Sequence, residues 1–346
     1  MTTCGAGSLA NVAVVIVNYR TPELTMRCME ALRGEREGLP DLRAIVVDGG
    51  SGDQSASILG EFAGRPDFHD WVSFLPLAVN GGFGWANNQA MLRLSREVPP
   101  PEFVYLLNPD TEVERGAVGA LVAELRDNPR SGAAGSRLLT PDGRIAASAF
   151  RFPSWGREFI GAAQSEILGR MLGIGSVVVE SEQSVEVDWV TGASVMFRVD
   201  ALRQTGLFDD GFFLYFEEVE LMHRLHKKGW TVRHVPGSRV IHIEGASTGI
   251  GAATAQRPHP QYWYDSRRRY YALTGSRSAL LGANLALLGG KGAATLKRLV
   301  GRKPAPAACR TEDIVKRFRS DERDRKPSFP AWGDPPGRLP AWMERA

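Results

Sequence analysis

The stretch Asn11-Val-Ala-Val-Val-Ile-Val-Asn-Tyr-Arg20 decides the fold, because a short, mostly β-branched apolar run ends there in polar residues. The pattern recurs at Ala44–Val47 and Phe103–Leu107, and a helical stretch follows each run, at Pro22–Arg33, Gln54–Phe62 and Arg115–Arg126. Continuous Val, Ile and Leu runs that alternate with helices are typical of buried parallel strands. The sequence therefore predicts an α/β protein with a doubly wound, mostly parallel sheet and helices on both faces.

Polar residues follow each apolar run. In a doubly wound sheet, ligands bind beyond the carboxyl ends of the strands, so these residues are the first candidates for chemistry. They are Asn18 and Tyr19 after the first run, Asp48 after the second, and Asn108 and Asp110 after the third. No Gly-x-Gly-x-x-Gly follows the first run, which argues against a dinucleotide-dependent oxidoreductase or epimerase. The first half of the chain therefore predicts a mononucleotide site.

Asp48 stands at the end of a predicted buried strand, where an unpaired carboxylate is costly. Its partner could be a nucleobase or ribose hydroxyl of a donor. A backbone amide of the glycine-rich turn that follows would serve equally well. Asp53, at the end of that turn, fits the N-cap of the next helix as well as it fits a ligand contact. Position alone leaves both alternatives open.

A second candidate is Asn80-Gly-Gly-Phe-Gly-Trp-Ala-Asn-Asn88, which combines three glycines with amides and opens a helix. Glycine at Gly82 would let the backbone approach a phosphate or sugar closely, and a helix N-terminus favours negative charge. Asn80 and Asn87 add amide groups for a donor. The alternative interpretation is a tight turn with a helix cap.

Asn108-Pro-Asp110 supplies a carboxylate beside a second oxygen ligand. Hard oxygen ligands suit Mg²⁺ or Mn²⁺, which also take phosphate oxygens and waters. A type I turn that begins at Asn108 is the alternative. His242 ends a later strand; such a histidine is usually structural, but it could complete the coordination of a metal held by Asp110.

The segment Phe208–Arg224 places aromatic residues before three carboxylates, Glu217, Glu218 and Glu220. Aromatic packing desolvates a carboxylate and can raise its pKa into the range of a general base. One of these glutamates is therefore a candidate base. The alternative is a helix N-terminus enriched in acidic residues that complement the helix dipole.

The bulk composition, with 43% hydrophobic and 23% charged among 346 residues, is that of a soluble globular protein. Cys4, Cys28 and Cys309 fall at no metal or disulfide spacing, which fits a reducing cytosol. The N-terminus lacks the features of a signal peptide, and the apolar run Leu280–Leu288 is shorter than the ~20 residues that cross a bilayer. We expect a cytoplasmic protein, soluble or peripheral on the inner face of the membrane.

Charge is distributed unevenly along the chain. Residues 257–346 carry 19 Lys and Arg against 8 Asp and Glu, a net charge of +11, which leaves −8 for the remainder of a chain with net charge +3. A basic end could bind an anionic membrane surface or a diphosphate-bearing lipid, and it could equally be a solvated tail. We expect no nucleic-acid binding, because the basic end has no cluster of aromatic or groove-reading residues.

The later part of the chain is less regular. Between Thr140 and Val185 we expect a connecting, acceptor-facing segment, followed by a helix at Phe216–Lys228 and strands at Thr231–Val235 and Arg239–Ile243. The predicted divisions are a disordered N-terminus at 1–10, a domain at 11–256 with a donor-binding half (11–135) and an acceptor and catalytic half (136–256), a helical extension at 257–302, and a Pro- and Arg-rich, partly disordered tail at 303–346.

Seven motifs in order resemble those of glycosyltransferase family 2, in particular its bacterial rhamnosyltransferase-like branch. The resemblance covers roughly Val12 to Ser247 and rests on Val17–Pro22, Val46–Asp48, Asn80–Gly84 with Asn87 and Asn88, Leu107–Asp110, Trp189–Ala193, Phe213–Glu218 and His242. It implies the GT-A fold of nucleotide-diphospho-sugar transferases and a divalent metal, Mg²⁺ or Mn²⁺.

The resemblance also implies roles for single residues. Asp48 would contact the nucleobase or ribose, and Asp110 and His242 would hold the metal on the donor diphosphate. Trp189 to Ala193, including Gly192, would line the cleft between donor and acceptor. Glu218 would be the catalytic base with Glu217 in support.

Three departures from the family pattern are visible. The usual Asp-Asn-x-Ser turn reads Asp48-Gly-Gly-Ser51, and the two-aspartate metal motif is reduced to Asn108-Pro-Asp110. The acidic triplet is all glutamate where family members often carry aspartate, which leaves the choice between Glu217 and Glu218 open.

The reaction that the resemblance implies is an inverting sugar transfer from a nucleotide-diphosphate donor to a lipid-linked or polysaccharide acceptor. The branch suggests dTDP-L-rhamnose as donor. One rival hypothesis is a UDP-hexose donor, and another is a catalytically silent scaffold that binds a nucleotide sugar within a polysaccharide assembly complex. Intact Asp110, Glu218 and His242 argue against the scaffold.

Overall fold

The computed structural model describes residues 10–243, 259–276, 278–299, 309–316, 318 and 322–343. Residues 1–9 of the predicted disordered N-terminus lie outside the described residues. The same is true of residues 244–258, which contain the boundary predicted at 256, and of most of residues 300–321.

The strands follow the predicted apolar runs closely. In chain order they are β1 (Val12–Asn18), β2 (Arg43–Asp48), β3 (Val72–Pro76), β4 (Phe103–Leu107), β5 (Thr111–Val113), β6 (Ser131–Leu139), β7 (Ile145–Ala146), β8 (Ala149–Phe150), β9 (Val185–Val187), β10 (Trp189–Val190), β11 (Ser194–Arg198) and β12 (Thr231–His242).

The helices alternate with these strands in the first half and cluster at the end of the chain. They are α1 (Pro22–Arg33), α2 (Ser55–Ala63), α3 (Phe83–Leu94), α4 (Ala117–Asp127), α5 (Trp155–Ala163), α6 (Glu166–Met171), α7 (Val199–Thr205), α8 (Glu217–Lys227), α9 (Gln261–Thr274), α10 (Ala279–Leu299), α11 (Thr311–Lys316) and α12 (Glu322–Arg325). A 3₁₀ turn at Gly34–Glu37 extends α1.

The main sheet has the strand order β3-β2-β1-β4-β11-β6-β12-β5. Strands β3, β2, β1 and β4 are parallel, as the continuous apolar runs predict. β11 runs antiparallel between β4 and β6, and β12 returns parallel to β6. In the register of β1 and β2, Asn18 pairs with Asp48, so the polar residues that follow these strands meet at one edge.

Both faces of the sheet are covered, which explains why its strands read as continuous apolar runs. Alternate residues of β1 belong to two different buried clusters, Val12 and Val14 to the first and Ala13 and Val15 to the second. Helices α1, α2 and α4 bury their apolar residues in the first cluster, and α3, α7 and α8 bury theirs in the second. The predicted α/β class with helices on both faces is confirmed.

The two strands predicted at the end of the domain are one continuous strand, β12. Its register against β6 shifts between Val235 and Arg239, across Pro236 and Gly237. Proline donates no ladder hydrogen bond, so a local irregularity is accommodated there without ending the strand. The interruption in the sequence pattern is therefore a bulge and not a turn.

Helices α9 and α10, in the predicted C-terminal extension, share a core with the start of α8. A buried cluster combines Phe212 and Val219, which flank the start of α8, with Tyr270 of α9 and Leu280 of α10. The guanidinium of Arg269 donates to Asp209 Oδ1 from Nε at 2.8 Å. α9 and α10 therefore support the acidic segment directly.

Part of the tail predicted at residues 303–346 has a defined path. Within residues 322–343, the Gly337 amide donates to Gln89 Oε1 at 2.6 Å, and Trp342 Nε1 donates to the carbonyl of Gly81 at 3.0 Å. Trp85 Nε1 of the same glycine-rich segment donates to the carbonyl of Arg338. Contacts such as that of Trp342 hold the tail against the domain, although its Pro and Arg content is typical of a disordered segment.

Among the described residues, α10 is long and apolar enough to cross a membrane by length and composition, in the window Ala279–Leu296. The sequence-based expectation of a run limited to Leu280–Leu288 was wrong. Alanine and glycine residues continue the uncharged stretch beyond Leu288, and Lys291 is the one charged residue in that window.

Candidate functional site

A cavity of about 290 Å³ opens beyond the carboxyl ends of β1, β2 and β4. Four predicted donor-binding residues line it: Tyr19, Asn80, Gly82 and Asn108. Its other lining residues are Val17, Gly49, Phe83, Ala86, Pro109, Phe213, Leu214 and Tyr262. The structure therefore brings the motifs that follow three strands and the start of α3 into one site.

Asn18 and Asp48 lie beneath this cavity and not in its wall. The Asn18 side chain is fully buried; its Nδ2 donates to Asp48 Oδ1 at 2.8 Å, and its Oδ1 accepts from Thr25 Oγ1 at 3.1 Å. Asp48 accepts from the Ser51 hydroxyl at 2.6 Å and from the Ser51 amide at 3.1 Å. The turn after β2 and the Thr25 hydroxyl of α1 thus satisfy the two side chains, and neither residue lines the cavity; their role as donor contacts stays a prediction.

The glycine-rich segment meets the aromatic segment before α8 at Gly82. The Phe83 amide donates to the carbonyl of Phe213 at 3.2 Å, and Gly82 has φ of +88°. A Cβ added at Gly82 would stand 1.9 Å from that carbonyl oxygen. Asn88 Nδ2 of α3 donates to the carbonyl of Phe208 at 2.9 Å, so a second contact fixes the same two segments together.

We predict that Gly82→Ala destroys the donor site. The methyl group would overlap backbone at 1.9 Å, and alanine also disfavours a positive φ, so the loop must separate from Phe213. Donor affinity measured by calorimetry should fall at least about tenfold, the equivalent of ~1.4 kcal/mol. Gly119→Ala is the matched control, because it lies in α4 with open space around its Cβ position. Equal affinity in both variants would contradict the role of this contact.

Asn87, predicted to bind the donor, lies inside α3 and is almost fully buried. Its Nδ2 donates to the carbonyl of Phe83 at 2.9 Å, one helical turn back. Its Oδ1 has no hydrogen-bond partner. The amide therefore supports the start of the helix and is not part of the cavity lining.

Asp110 and His242 meet at the end of β12, where β5 pairs with that strand. His242 Nε2 lies 3.3 Å from Asp110 Oδ1, and both side chains are largely buried. Neither Asp110 Oδ1 nor His242 Nδ1 has a hydrogen-bond partner. A buried carboxylate oxygen without a donor is costly unless a cation or ligand satisfies it. The pair therefore fits two ligands of a divalent cation.

This pair does not form a closed metal site by itself. In the part of the chain that the structure describes, no group of three or more His, Cys, Asp or Glu residues could hold a metal ion. Mg²⁺ and Mn²⁺ commonly take one or two protein ligands and complete their coordination with phosphate oxygens and water. The arrangement therefore suits an ion bound together with a diphosphate.

The acidic segment enters α8 through a strained turn. Tyr215 and Phe216 both have positive φ, +72° and +68°, which is uncommon for non-glycine residues and costs free energy. Phe216 packs against Trp263 and Tyr270 of α9, with ring centroids 5.5 Å and 5.6 Å apart. These contacts hold the turn, and Glu217 and Glu218 follow it at the helix start.

The three glutamates have different environments. Glu220 is buried and accepts from Arg224 Nε at 2.9 Å, so it is a structural ion pair. Glu217 is also buried, and burial with the neighbouring Glu218 charge raises its pKa well above the usual range. Burial raises the pKa of Glu218 to about 7, and its Oε2 has no hydrogen-bond partner.

Glu218 is the better candidate base of the two. Its side chain is partly accessible, whereas Glu217 is buried against Gly84, whose added Cβ would lie 3.4 Å from Glu217 Cγ. A Cβ built on Gly192 would lie 4.0 Å from Glu218 Cβ and 3.2 Å from Phe83 Cε1. Glu218 and Gly192 therefore face each other beside Phe83, a residue of the donor cavity.

We predict that activity rises with pH through about 7. A general base must be deprotonated, and burial raises the pKa of Glu218 to about 7. The logarithm of kcat/KM should increase with slope 1 below this value and level off above it. A pH profile of kcat/KM with a metal-saturated enzyme measures this, and a profile that is already flat at pH 5 would contradict the assignment.

Trp189, predicted to line the cleft between donor and acceptor, packs against neighbouring groups. Its ring stacks on Phe150 with centroids 4.2 Å apart, and its Nε1 donates to the carbonyl of Arg151 at 3.2 Å. Trp189 does not line the donor cavity. Of the predicted segment Trp189–Ala193, the described contacts place Gly192 next to Glu218.

Sequence reasoning missed two aromatic contributors to the donor cavity. Phe213 was predicted as part of the aromatic segment before the glutamates and not as a cavity residue, and Tyr262 lies in α9, in the extension predicted to be separate. Their rings meet at a centroid distance of 5.4 Å. The aromatic run Phe212–Phe216 was a signal for Phe213, but no local pattern links Tyr262 to a site more than forty residues earlier.

Comparison with known families and proteins gives consistent matches. The model of glycosyl transferase family 2 matches residues 13–161, and that of glycosyl transferase family group 2 matches residues 103–284. An N-acetylglucosaminyl-diphospho-decaprenol L-rhamnosyltransferase of Mycobacterium tuberculosis is 31% identical over 201 residues, which are 56% of this chain and 66% of that protein. This chain therefore spans slightly less than two thirds of that relative.

More distant relatives extend the match. A low-salt glycan biosynthesis hexosyltransferase of Haloferax volcanii is 23% identical over 76% of each chain. A rhamnosyltransferase of Escherichia coli is 23% identical over 67% of this chain and 83% of its own length.

Solved structures show the same fold at low sequence identity. A mannosyltransferase from Pyrobaculum calidifontis, in complex with GDP-mannose and Mn²⁺, has a TM-score of 0.51 at 15% identity and covers 85% of this chain and 77% of its own. The GalNAc-T7 structure with UDP, GalNAc and Mn²⁺ has a TM-score of 0.54 at 14% identity and covers 90% and 56%. The predicted GT-A fold is confirmed.

Proposed function

The chain belongs to glycosyl transferase family 2, and on this premise we propose that it is an inverting glycosyltransferase with a nucleotide-diphosphate sugar as donor. The observation that carries the proposal is the partly accessible Glu218. Its pKa is raised to about 7, and it lies beside Gly192 and Phe83 at the donor cavity. The resemblance to family members and the shared fold support the same conclusion.

The donor occupies the cavity at the carboxyl ends of the strands. Tyr19, Asn80 and Asn108 offer polar groups for the nucleotide and diphosphate, and Phe213 and Tyr262 offer aromatic surface for a base. The name of the mycobacterial relative, an L-rhamnosyltransferase, supports dTDP-L-rhamnose as the sugar donor. A UDP-hexose is the second candidate, supported by the name of the haloarchaeal relative, a hexosyltransferase.

Asp110 and His242 would hold a divalent metal, Mg²⁺ or Mn²⁺. The unpartnered Oδ1 of Asp110 and the adjacent Nε2 of His242 are the groups that fit it. When bound, such an ion supplies positive charge for a leaving nucleoside diphosphate. Two solved structures with the same fold are complexes with Mn²⁺, which supports the assignment.

Glu218 takes the proton from the acceptor hydroxyl as the oxygen of that hydroxyl attacks the anomeric carbon. The bond from that carbon to the donor diphosphate breaks in the same displacement, on the opposite face. A single displacement inverts the configuration at the anomeric carbon. The pKa of Glu218 near 7 keeps a useful fraction of the carboxylate unprotonated at neutral pH while leaving it basic enough to accept a proton.

A second cavity, lined in part by Phe216, suits the acceptor. It has a volume of about 390 Å³ and lies between α5, α9 and α10. Arg157 and Lys291 bring positive charge to a lining that also includes Glu158, which pairs with Arg267, and the apolar side chains of Phe216, Trp263 and Leu287. Cations beside apolar walls suit a lipid-linked acceptor with a diphosphate, which we propose together with a polysaccharide as the alternative. The enzyme would act in the cytoplasm at the inner face of the membrane.

The function can be tested with a panel of dTDP-, UDP- and GDP-sugars. Release of free nucleoside diphosphate is measured with Mn²⁺, Mg²⁺ or EDTA, in the presence of a lipid extract from the membranes of the source organism. We expect one donor to turn over in a metal-dependent way. Binding of donors without any turnover would instead support the nucleotide-sugar-binding scaffold.

A further inference from the structure

The outer face of α10 is apolar where a surface helix ordinarily carries polar residues. Leu281, Leu285 and Leu296 are 39%, 56% and 64% exposed. Leu285 follows Leu281 by one turn, and Leu296 follows Leu285 by eleven residues, so the three share one face of the helix. An exposed row of leucines on a helix points to an interaction surface.

The inner face of α10 is fixed to the domain. Leu280, Ala283 and Leu287 are buried. Added Cβ atoms would stand 2.2 Å from the Trp155 ring at Gly282 and 2.3 Å from the Phe159 carbonyl at Gly290, so α5 and α10 approach closely along about two turns. Crossing a membrane would require α10 to leave these contacts. A position in the plane of the membrane surface keeps them.

Further exposed apolar side chains belong to the same group of helices. Ile167, Met171 and Leu172, in and just after α6, are 64%, 79% and 55% exposed. α6 follows α5 after two residues. Of the thirteen large hydrophobic side chains exposed in the described residues, eight lie between Trp155 and Val177 or in α10. This concentration separates the group from the scattered apolar residues of an ordinary surface.

The net charge of this part of the chain indicates which partner binds the exposed apolar face. Residues 257–346 carry a net charge of +11, whereas the remainder carries −8. Lys291, Lys297 and Arg298 belong to the sequence of α10 itself. An apolar helix face within a strongly basic part of the sequence is the pattern of a helix that lies in the interface of an anionic bilayer.

We propose that the outer faces of α6 and α10 form a docking surface for an anionic lipid bilayer, with α10 lying in the plane of the interface. The surface is defined by Ile167, Met171, Leu172, Leu281, Leu285 and Leu296. Its role in presenting a lipid-linked acceptor rests on the proposed function. The cavity beside Phe216 is lined by α5 and by Leu287 and Lys291 of α10, which places it next to this surface.

The test is flotation of the full chain with vesicles of phosphatidylglycerol and phosphatidylcholine, compared with vesicles of phosphatidylcholine alone. We expect the protein to float with the anionic vesicles. The double variant Leu285→Glu, Leu296→Glu should lower the partition coefficient at least about tenfold, because each leucine loses apolar burial and each glutamate adds repulsion. Glutamate is a good helix former, so α10 should persist.

Ile145→Glu is the matched control, since Ile145 is 57% exposed but lies in β7. It should float like the wild type. Equal flotation of the double variant, or loss in the control as well, would overturn the proposal. If high salt abolished vesicle binding but the double variant bound as tightly as the wild type, the contact would depend on basic residues alone. That result would also overturn the proposal.

Two further measurements distinguish the membrane-docking surface from a dimer interface and from a failure of the proposed function. If the leucine face joined two copies of the chain, light scattering would show a dimer that the double variant dissociates, without vesicle binding, and the proposal would fail. Nucleotide release with a water-soluble, short-chain acceptor should be equal in wild type and double variant. If the protein floated with anionic vesicles but turned over no donor, the docking-surface proposal would stand and the proposed function would be rejected.

Discussion

Glu218→Gln should lower kcat by about 10²–10⁴-fold, the range that general-base catalysis typically contributes. The amide has the size of the carboxylate but cannot accept the proton of the acceptor hydroxyl. Donor affinity should be unchanged, because Glu218 faces Gly192 and Phe83 and does not itself line the cavity proposed for the donor. Single-turnover kinetics combined with calorimetric titration of the donor measure the two quantities separately.

The same substitution should stabilise the fold at pH 8. Burial raises the pKa of Glu218 from the ordinary 4.5 to about 7, so the folded state binds this proton more tightly than the unfolded state. Stability contributed by the protonated carboxyl is present below about pH 4.5 and is lost as the pH rises through about 7. The neutral amide avoids that loss, and the variant should unfold at a higher temperature than the wild type.

Glu217→Gln is the matched control for the base assignment. It removes a buried neighbouring carboxyl and should reduce kcat much less than Glu218→Gln. If Glu217→Gln abolished turnover and Glu218→Gln retained it, the two roles would have to be exchanged. Loss of helical content in either variant, measured by circular dichroism, would show a folding defect in place of a catalytic one.

Asp110→Asn should lower metal-dependent turnover by about 10³-fold. Stabilisation of transition-state charge by a metal ion is worth several kcal/mol, and about 4 kcal/mol corresponds to this factor. The amide removes the negative charge that pairs with the cation but preserves the shape beside His242. Mn²⁺ binding in the presence of nucleoside diphosphate, followed by electron paramagnetic resonance, should weaken in parallel.

Glu112→Gln provides the control for the metal site. Glu112 lies two residues from Asp110, in β5, but its carboxylate pairs with Arg27 at the surface. This variant should keep wild-type turnover and wild-type Mn²⁺ affinity. Full activity of Asp110→Asn, or wild-type activity that persists in EDTA, would remove Asp110 and His242 from the account.

Much of the fold could be predicted from the sequence because its signals are local. Helix α1 has the predicted bounds Pro22–Arg33, and β4 has the predicted bounds Phe103–Leu107. The direction of β11 could not be predicted, since an apolar run reads the same in a parallel and an antiparallel strand. The path of residues 322–343 depends on contacts such as that of Trp342 with Gly81, more than 250 residues away.

The candidate site was predicted less completely, for two physical reasons. A carboxylate at the end of a strand needs a partner, but the sequence does not say which one. In the structure Asp48 accepts hydrogen bonds from Ser51 and Asn18. Adjacent residues of a helix differ in burial by their angle around the axis, so Glu217 and Glu218 separate only when the neighbouring elements are in place. Residue type predicted the chemistry, whereas the packing decides which residue carries it out.

The most direct test of the central claim is the anomeric configuration of the transferred sugar. Product made from the donor that turns over is isolated, and the one-bond coupling between its anomeric carbon and hydrogen is measured by nuclear magnetic resonance. A single displacement with Glu218 as base predicts a linkage of configuration opposite to that of the donor. A linkage with the donor's own configuration would contradict the account, because it would require a second displacement.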